Sequence, residues 1–202
     1  MRSVMRGSFI VFEGIDGAGK STVCRGVAST LERRGMSVDV TAEPTHEGIG
    51  AFIRSGGAGR ISQRTEALLF VADRNDHTEH MMRAVSEGRI VLCDRYAAST
   101  IAYQSAKLDG DGTDWDWLVD INSDFIRRPD AVILLDIDPE KGMSRVGTRG
   151  EEISKFEDLS FLKQVRENYL RLADLYGYHV VDASKAPEDV LADVMEIIDG
   201  VV

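Results

Sequence analysis

The stretch F-E-G-I-D-G-A-G-K-S-T, residues 12–22, decides the fold. It satisfies the phosphate-loop pattern G-x-x-x-x-G-K-[ST], with Gly14, Gly19, Lys20 and Ser21 in the fixed places. The apolar run F-I-V-F at 9–12 reads as a buried strand. From Lys20 onward Val23, Val27 and Leu31 form an apolar stripe, which predicts a helix that Gly35 ends. A strand, a glycine loop and a helix N-terminus turn several backbone N–H groups towards one point, where the helix dipole is positive. That concavity suits a polyphosphate. The loop residues Gly14, Ile15, Asp16, Gly17, Ala18, Gly19, Lys20, Ser21 and Thr22 are therefore the candidate nucleotide cradle. Lys20 is expected at the β- and γ-phosphates, and the Ser21 hydroxyl at Mg²⁺.

Outward from that loop, apolar runs and helical stripes alternate. Strands are expected at 36–41, 90–93, 131–135 and 178–181, and helices at 65–86, 97–107, 115–126, 139–146, 159–176 and 187–198. Gly- and charge-rich segments at 55–59, 109–112 and 147–154 read as loops. Pro44 biases Glu43 to an extended backbone and ends the second strand region. The alternation predicts a five-stranded parallel sheet with helices on both faces, in one domain spanning 1–202 with a small lid at about 142–155. In such folds active groups gather at the carboxyl ends of the strands. Asp16, Glu43, Asp94, Arg95, Asp136 and Asp182 all fall there.

The chain has 202 residues, enough for one α/β domain with a substantial core. Its formal net charge of −10 argues against a general nucleic-acid or anionic-membrane surface, which would need a basic face. No apolar run is long enough to span a membrane and residues 1–8 lack a signal-peptide core, so a cytoplasmic location is expected. Cys24 and Cys93 read as buried free thiols. His77 and His80 have no third ligand at useful spacing, so no metal is expected there.

Several pairings carry chemistry. Asp94 and Asp136 each close an apolar strand, and either could be a second Mg²⁺ partner; Arg95 beside Asp94 would let that tip handle metal and phosphate together. Phe70 and Arg74 are four apart and share a helix face, where a ring could stack a base and a guanidinium could read its edge; a core Phe beside a surface Arg is the plainer alternative. Ser99 with Tyr103, and Thr100 with Gln104, make a polar stripe that could line a pocket or face solvent. Arg145 and Arg149 flank Gly147 in a segment that could close over phosphates or be a plain surface loop.

These residues together resemble the thymidylate (dTMP) kinase family. The similarity runs through the phosphate loop, E-P-T at 43–45, L-L-F-V-A-D-R at 68–74, D-R-Y at 94–96, S-T-I-A-Y-Q at 99–104, L-D-I-D-P-E at 135–140 and T-R-G at 148–150. The resemblance implies transfer of the ATP γ-phosphoryl group to dTMP, giving dTDP and ADP in dTTP synthesis. It puts Phe70 on the thymine ring, Arg74 at the thymine carbonyl edge, and Thr100 and Gln104 in the base pocket. Tyr103 falls where a ribose 2′-hydroxyl would lie. Arg95 would grip the acceptor phosphate, Asp16 would approach the sugar 3′-hydroxyl and the metal shell, and Glu43 joins the acceptor site. Asp94 would act near Mg²⁺, and the segment 183–185, with Ala183 and Lys185, near adenine. Relatives are homodimers, so a homodimer is implied.

The chain departs from the family in two places. Ala18 stands where some members carry a basic residue, which leaves the catalytic arginine to Arg149 or Arg145 of the lid; Gly147 stands where bacterial relatives often have a further arginine. Ala42 replaces an arginine common before Glu43, and Arg54 is the candidate substitute. The rival readings are a broader pyrimidine monophosphate kinase and a deoxynucleoside kinase, the latter disfavoured by Arg95. A GTP-dependent switch would need an N-K-x-D segment, and the sequence has none.

Overall fold

The structure is a computed structural model that describes residues 7–57, 61–106, 113–147 and 159–202. Five strands form one parallel sheet: β1 (Ser8–Glu13), β2 (Val38–Ala42), β3 (Ile90–Asp94), β4 (Ala131–Asp136) and β5 (His179–Asp182), in the order β2-β3-β1-β4-β5. The helices are α1 (Lys20–Arg33), α2 (Gly48–Arg54), α3 (Gln63–Ser86), α4 (Ala97–Gln104), α5 (Trp115–Ser123), α6 (Pro139–Gly147), α7 (Leu159–Tyr176) and α8 (Pro187–Asp199). The expected five-stranded parallel sheet is therefore present.

Strand β1 is central, and every residue in it is buried. This is why it reads as a continuous apolar run: both faces of a parallel sheet are covered. Phe9, Val11, Val91 and Cys93 pack with Met81, Tyr96 and Ala97. Ile10, Phe12 and Leu92 belong to the larger cluster with Val23, Val27 and Leu31 of α1 and Val190, Val194 and Ile198 of α8. The chain crosses from one side of β1 to the other between β3 and β4, so the order reverses at β1, where α/β folds bind ligands.

The element limits differ from the sequence reading for local reasons. Helix α3 starts two residues early because Ser62 caps it, accepting from the Thr65 N–H at 3.2 Å. β2 starts at Val38 rather than at 36, because Met36 N–H is used to close α1 on Leu31 O at 3.1 Å. β5 starts one residue late for the same reason, Tyr178 N–H closing α7 on Ala173 O at 3.0 Å. α4 and α5 are three residues shorter than expected. α2 was not anticipated, since two of its seven residues are glycines and no side chain caps it.

The phosphate loop is held against α6. A Cβ at Gly17 would lie 2.1 Å from the Gly142 carbonyl oxygen, and Gly17 has φ of +78°. Gly35 shares the left-handed backbone (φ +82°) and has open space around it. Gly35→Ala should therefore cost only the left-handed penalty of about 1–2 kcal/mol. Gly17→Ala adds an overlap with backbone and should cost about 2–5 kcal/mol in urea denaturation. Equal losses at the two positions would contradict this packing.

Candidate active site

The site begins where β1 ends. Gly19 caps α1 in a left-handed conformation and accepts from the Thr22 and Val23 N–H groups, each at 3.0 Å. Lys20 is buried, and its ammonium donates to the loop carbonyls of Gly14 at 3.0 Å and Ile15 at 2.9 Å. Burial, and then the neighbouring Arg95 charge, bring the Lys20 ammonium down to about 8. Ser21 donates to Asp94 Oδ2 at 2.5 Å. Asp94 Oδ1 is buried and has no partner among the described residues. A hydroxyl and a carboxylate with a spare buried oxygen form a hard-oxygen donor set of the kind a small divalent cation takes. The other aspartate considered for this role, Asp136, is engaged differently: Arg166 donates to both of its oxygens, at 2.7 and 2.8 Å.

Arg95 is the centre of the site. It has φ of +71°, the one non-glycine residue with positive φ among those described. Its N–H donates to Phe12 O at 2.9 Å, which ties it to β1. Its guanidinium donates to Asp16 Oδ1 at 2.5 Å, Ser99 Oγ at 3.1 Å, and more distantly to Gly14 O and the Tyr103 and Tyr169 hydroxyls, all at 3.4 Å. Burial pushes the Asp16 carboxyl up, yet the charges of Arg95 and Lys20 outweigh burial and hold it down at about 2. Tyr103 donates to the other Asp16 oxygen at 3.1 Å.

Behind Arg95 lies Glu13, a residue the motif reading passed over. It is fully buried, and it accepts from the N–H groups of Tyr96 (2.9 Å) and Ser99 (3.2 Å), the Ser99 hydroxyl (2.6 Å) and the Tyr169 hydroxyl (3.1 Å). Burial pushes its carboxyl up, and the Ser99 hydrogen bond and Arg95 draw it part of the way back.

Two cavities meet at Arg95. One, of about 560 Å³, is lined by Asp16, Gly17, Gly19, Lys20, Ser21, Thr22 and Asp94, and also by Arg25, His46 and Arg54. The other, of about 230 Å³, is lined by Phe70, Arg74, Thr100, Tyr103 and Gln104, with Glu66 and Ser99. Asp16, Glu43, Pro44 and Arg95 line both. The helical pairs Phe70–Arg74 and Thr100–Gln104 thus share one cavity rather than facing solvent.

Arg74 is 1% exposed, so the surface-Arg alternative is set aside. It pairs with Glu43 at 2.9 Å and donates to Asn122 Oδ1 (2.5 Å), Thr100 Oγ1 (2.9 Å) and Tyr96 O (3.1 Å). Its Nε is buried and unpartnered among the described residues. Glu43 also meets His77 Nδ1 at 3.0 Å, while His77 Nε2 meets Thr41 Oγ1 at 2.7 Å, so this histidine is a satisfied core group. Cys24 and Cys93 are buried free thiols, as expected.

Arg54, at the end of α2, donates its Nε to the carbonyls of Pro44 (2.8 Å) and Thr45 (3.1 Å) and lines the phosphate-loop cavity. Arg145 of α6 donates to Ala183 O at 3.0 Å and to Gly17 O at 3.5 Å, joining the phosphate loop to the segment after β5. Ala183 is buried, and Lys185 is paired with Asp193 at 2.5 Å. Arg149 and most of the expected lid lie outside the described residues.

A family model described as "Thymidylate kinase" matches residues 12–194. The chain is 43% identical over 198 residues to a probable thymidylate kinase of Pyrobaculum aerophilum, covering 96% of this chain and 98% of that one. It is 39% identical over 205 residues to a probable thymidylate kinase of Thermococcus gammatolerans, covering 96% of each. With a thymidylate kinase of Nitratidesulfovibrio vulgaris the identity is 41% over 207 residues, covering 94% of this chain and 91% of that one. Matches of this extent carry the resemblance across nearly the whole chain, and the chain belongs to the thymidylate kinase family.

Proposed function

We propose that this protein transfers the γ-phosphoryl group of ATP to the 5′-phosphate of dTMP, giving dTDP and ADP. The observation that carries the reading is Arg95 in the wall common to a polar phosphate-loop cavity and a smaller, ring-lined one. A guanidinium there can hold an acceptor phosphate in line with a donor triphosphate. Phosphoryl transfer asks mainly for such alignment and for positive charge around the migrating group. The acceptor phosphate is already anionic at neutral pH and needs no general base.

In this reading the N–H groups of residues 14–22 and Lys20 hold the donor phosphates. Ser21 and Asp94 hold Mg²⁺, which when bound neutralises phosphate oxygens; the spare buried oxygen of Asp94 supports that assignment. Asp16, kept ionised and fixed by Arg95 and Tyr103, faces the sugar 3′-hydroxyl. Tyr103 excludes a 2′-hydroxyl. Phe70 stacks the base, Arg74 donates to its carbonyl edge, and Thr100, Gln104 and Glu43 complete the pocket. Ala183 and Lys185 border adenine. Arg145 and Arg149 serve the lid at about 142–155 of a single domain spanning 1–202, and both are candidates for the arginine at the γ-phosphate. Among the described residues no helix is long and apolar enough to cross a membrane. A homodimer acting in the cytoplasm, with no nucleic-acid partner, completes the proposal and rests on the family resemblance and the acidic net charge.

A coupled ADP-release assay with Mg-ATP tests the acceptor. We expect turnover highest on dTMP, measurable on dUMP because one methyl discriminates by only about 1–3 kcal/mol, low on UMP and negligible on thymidine. Reaction on thymidine alone would remove the acceptor-phosphate role of Arg95.

The pH profile tests Lys20. The ammonium is the form that holds phosphate, and in the free enzyme it loses its proton at about 8. kcat/KM for ATP should therefore fall as pH rises through about 8, while kcat, which reports the nucleotide-bound enzyme, should hold to higher pH. Lys20→Arg, slower but always charged, should lack the alkaline limb. A wild-type kcat/KM flat to pH 9.5 would show that Lys20 keeps its proton throughout.

A further inference from the structure

The cavity proposed for the base contains a carboxylate that no phosphate, sugar or metal contact requires. Glu66 of α3 is buried, lines this cavity, and accepts a hydrogen bond from Gln104 Nε2 of α4 at 3.3 Å. A glutamine amide has a donor end and an acceptor end that differ little in shape, so the partner decides which end faces which way. A carboxylate offers acceptor oxygens only. It selects the NH₂ end of Gln104, and rotating the amide by half a turn would set oxygen against oxygen. Gln104 therefore keeps its carbonyl Oε1 as the end available to the cavity. Arg74, in the same wall, is a donor only, and its buried Nε has no partner among the described residues.

The pocket thus pairs a donor with an acceptor. A 4-oxo pyrimidine presents the complement, a carbonyl at C4 and an N–H at N3. A 4-amino pyrimidine presents an amino donor and a bare ring nitrogen, so both contacts fail. We propose that Glu66 is a specificity-determining positioning residue: by fixing the polarity of the Gln104 amide it makes the pocket select thymine and uracil over cytosine. The inference deepens the acceptor reading given above and rests on it.

The test compares kcat/KM for dTMP, dUMP and dCMP in the wild type, Glu66→Gln and Glu66→Ala at saturating Mg-ATP. Both variants free the amide to turn. The dTMP-to-dCMP ratio should fall roughly tenfold or more, about one hydrogen bond's worth. The dTMP-to-dUMP ratio should stay the same, since it reports only the methyl group. A uniform loss on all three acceptors, or an unmoved dTMP-to-dCMP ratio, would overturn the proposal, because a merely structural Glu66 gives that pattern. Should neither variant fold, side-chain amide NMR of [¹⁵N]glutamine-labelled wild type decides: a Gln104 NH₂ protected from exchange supports the bond to Glu66, and an unprotected one overturns it. A wild type inert towards dTMP with a protected Gln104 NH₂ would sink the functional reading on which this rests while leaving the bond itself intact.

Discussion

The site depends on one buried carboxylate. Glu13 ends the central strand at zero exposure, and an ionised group there is costly unless its oxygens are satisfied. Four donors meet it, from Tyr96, Ser99 (twice) and Tyr169. Two of them are backbone N–H groups at the start of α4, which has no side-chain cap of its own. Glu13 supplies the cap from another element. The strand that opens the phosphate loop thereby fixes the helix that carries Ser99, Thr100, Tyr103 and Gln104.

Arg95 is caught in the same construction. Its left-handed backbone lets its N–H reach Phe12 O, while its side chain returns to Asp16 and Ser99. Such a conformation costs about 1–2 kcal/mol for a residue with a Cβ and persists only where surrounding bonds determine it. The result is two cations, Arg95 and Lys20, close enough for each to raise the cost of the other's charge, with Asp16 as partial compensation. Under the proposed function an incoming polyphosphate relieves that repulsion and takes Lys20 over from the loop carbonyls.

The fold was largely legible because the central strands are covered on both faces and read as unbroken apolar runs. The motif residues that the structure brings to the two cavities were legible as motifs, since the phosphate loop and D-R-Y are local in sequence. What was not legible is what depends on distant partners. Glu13 meets Tyr169 across 156 positions, Glu66 meets Gln104 across 38, and Arg74 meets Asn122 across 48. Spacing alone favoured an exposed Arg74; it is buried because Glu43, Thr100, Asn122 and a backbone carbonyl converge on it. The helix α2 escaped notice for a different reason, its glycines and missing cap leaving no local signal.

Asp94 and Asp136 show where sequence reasoning ends and geometry begins. Each follows an apolar run, each closes a strand at the same sheet edge, and nothing in their local sequence separates their chemistry except Arg95. Their surroundings separate them fully. Arg166 of α7 occupies both oxygens of Asp136 in a two-pronged pair, which is strong, directional and leaves little for another cation. Asp94 receives one short bond from Ser21 at the mouth of α1 and keeps its other oxygen buried and unpaired. An unpaired buried carboxylate oxygen is a standing cost in the protein alone. Under the proposed function a cation and its phosphates take up that oxygen, and the free energy withheld from folding is recovered on binding.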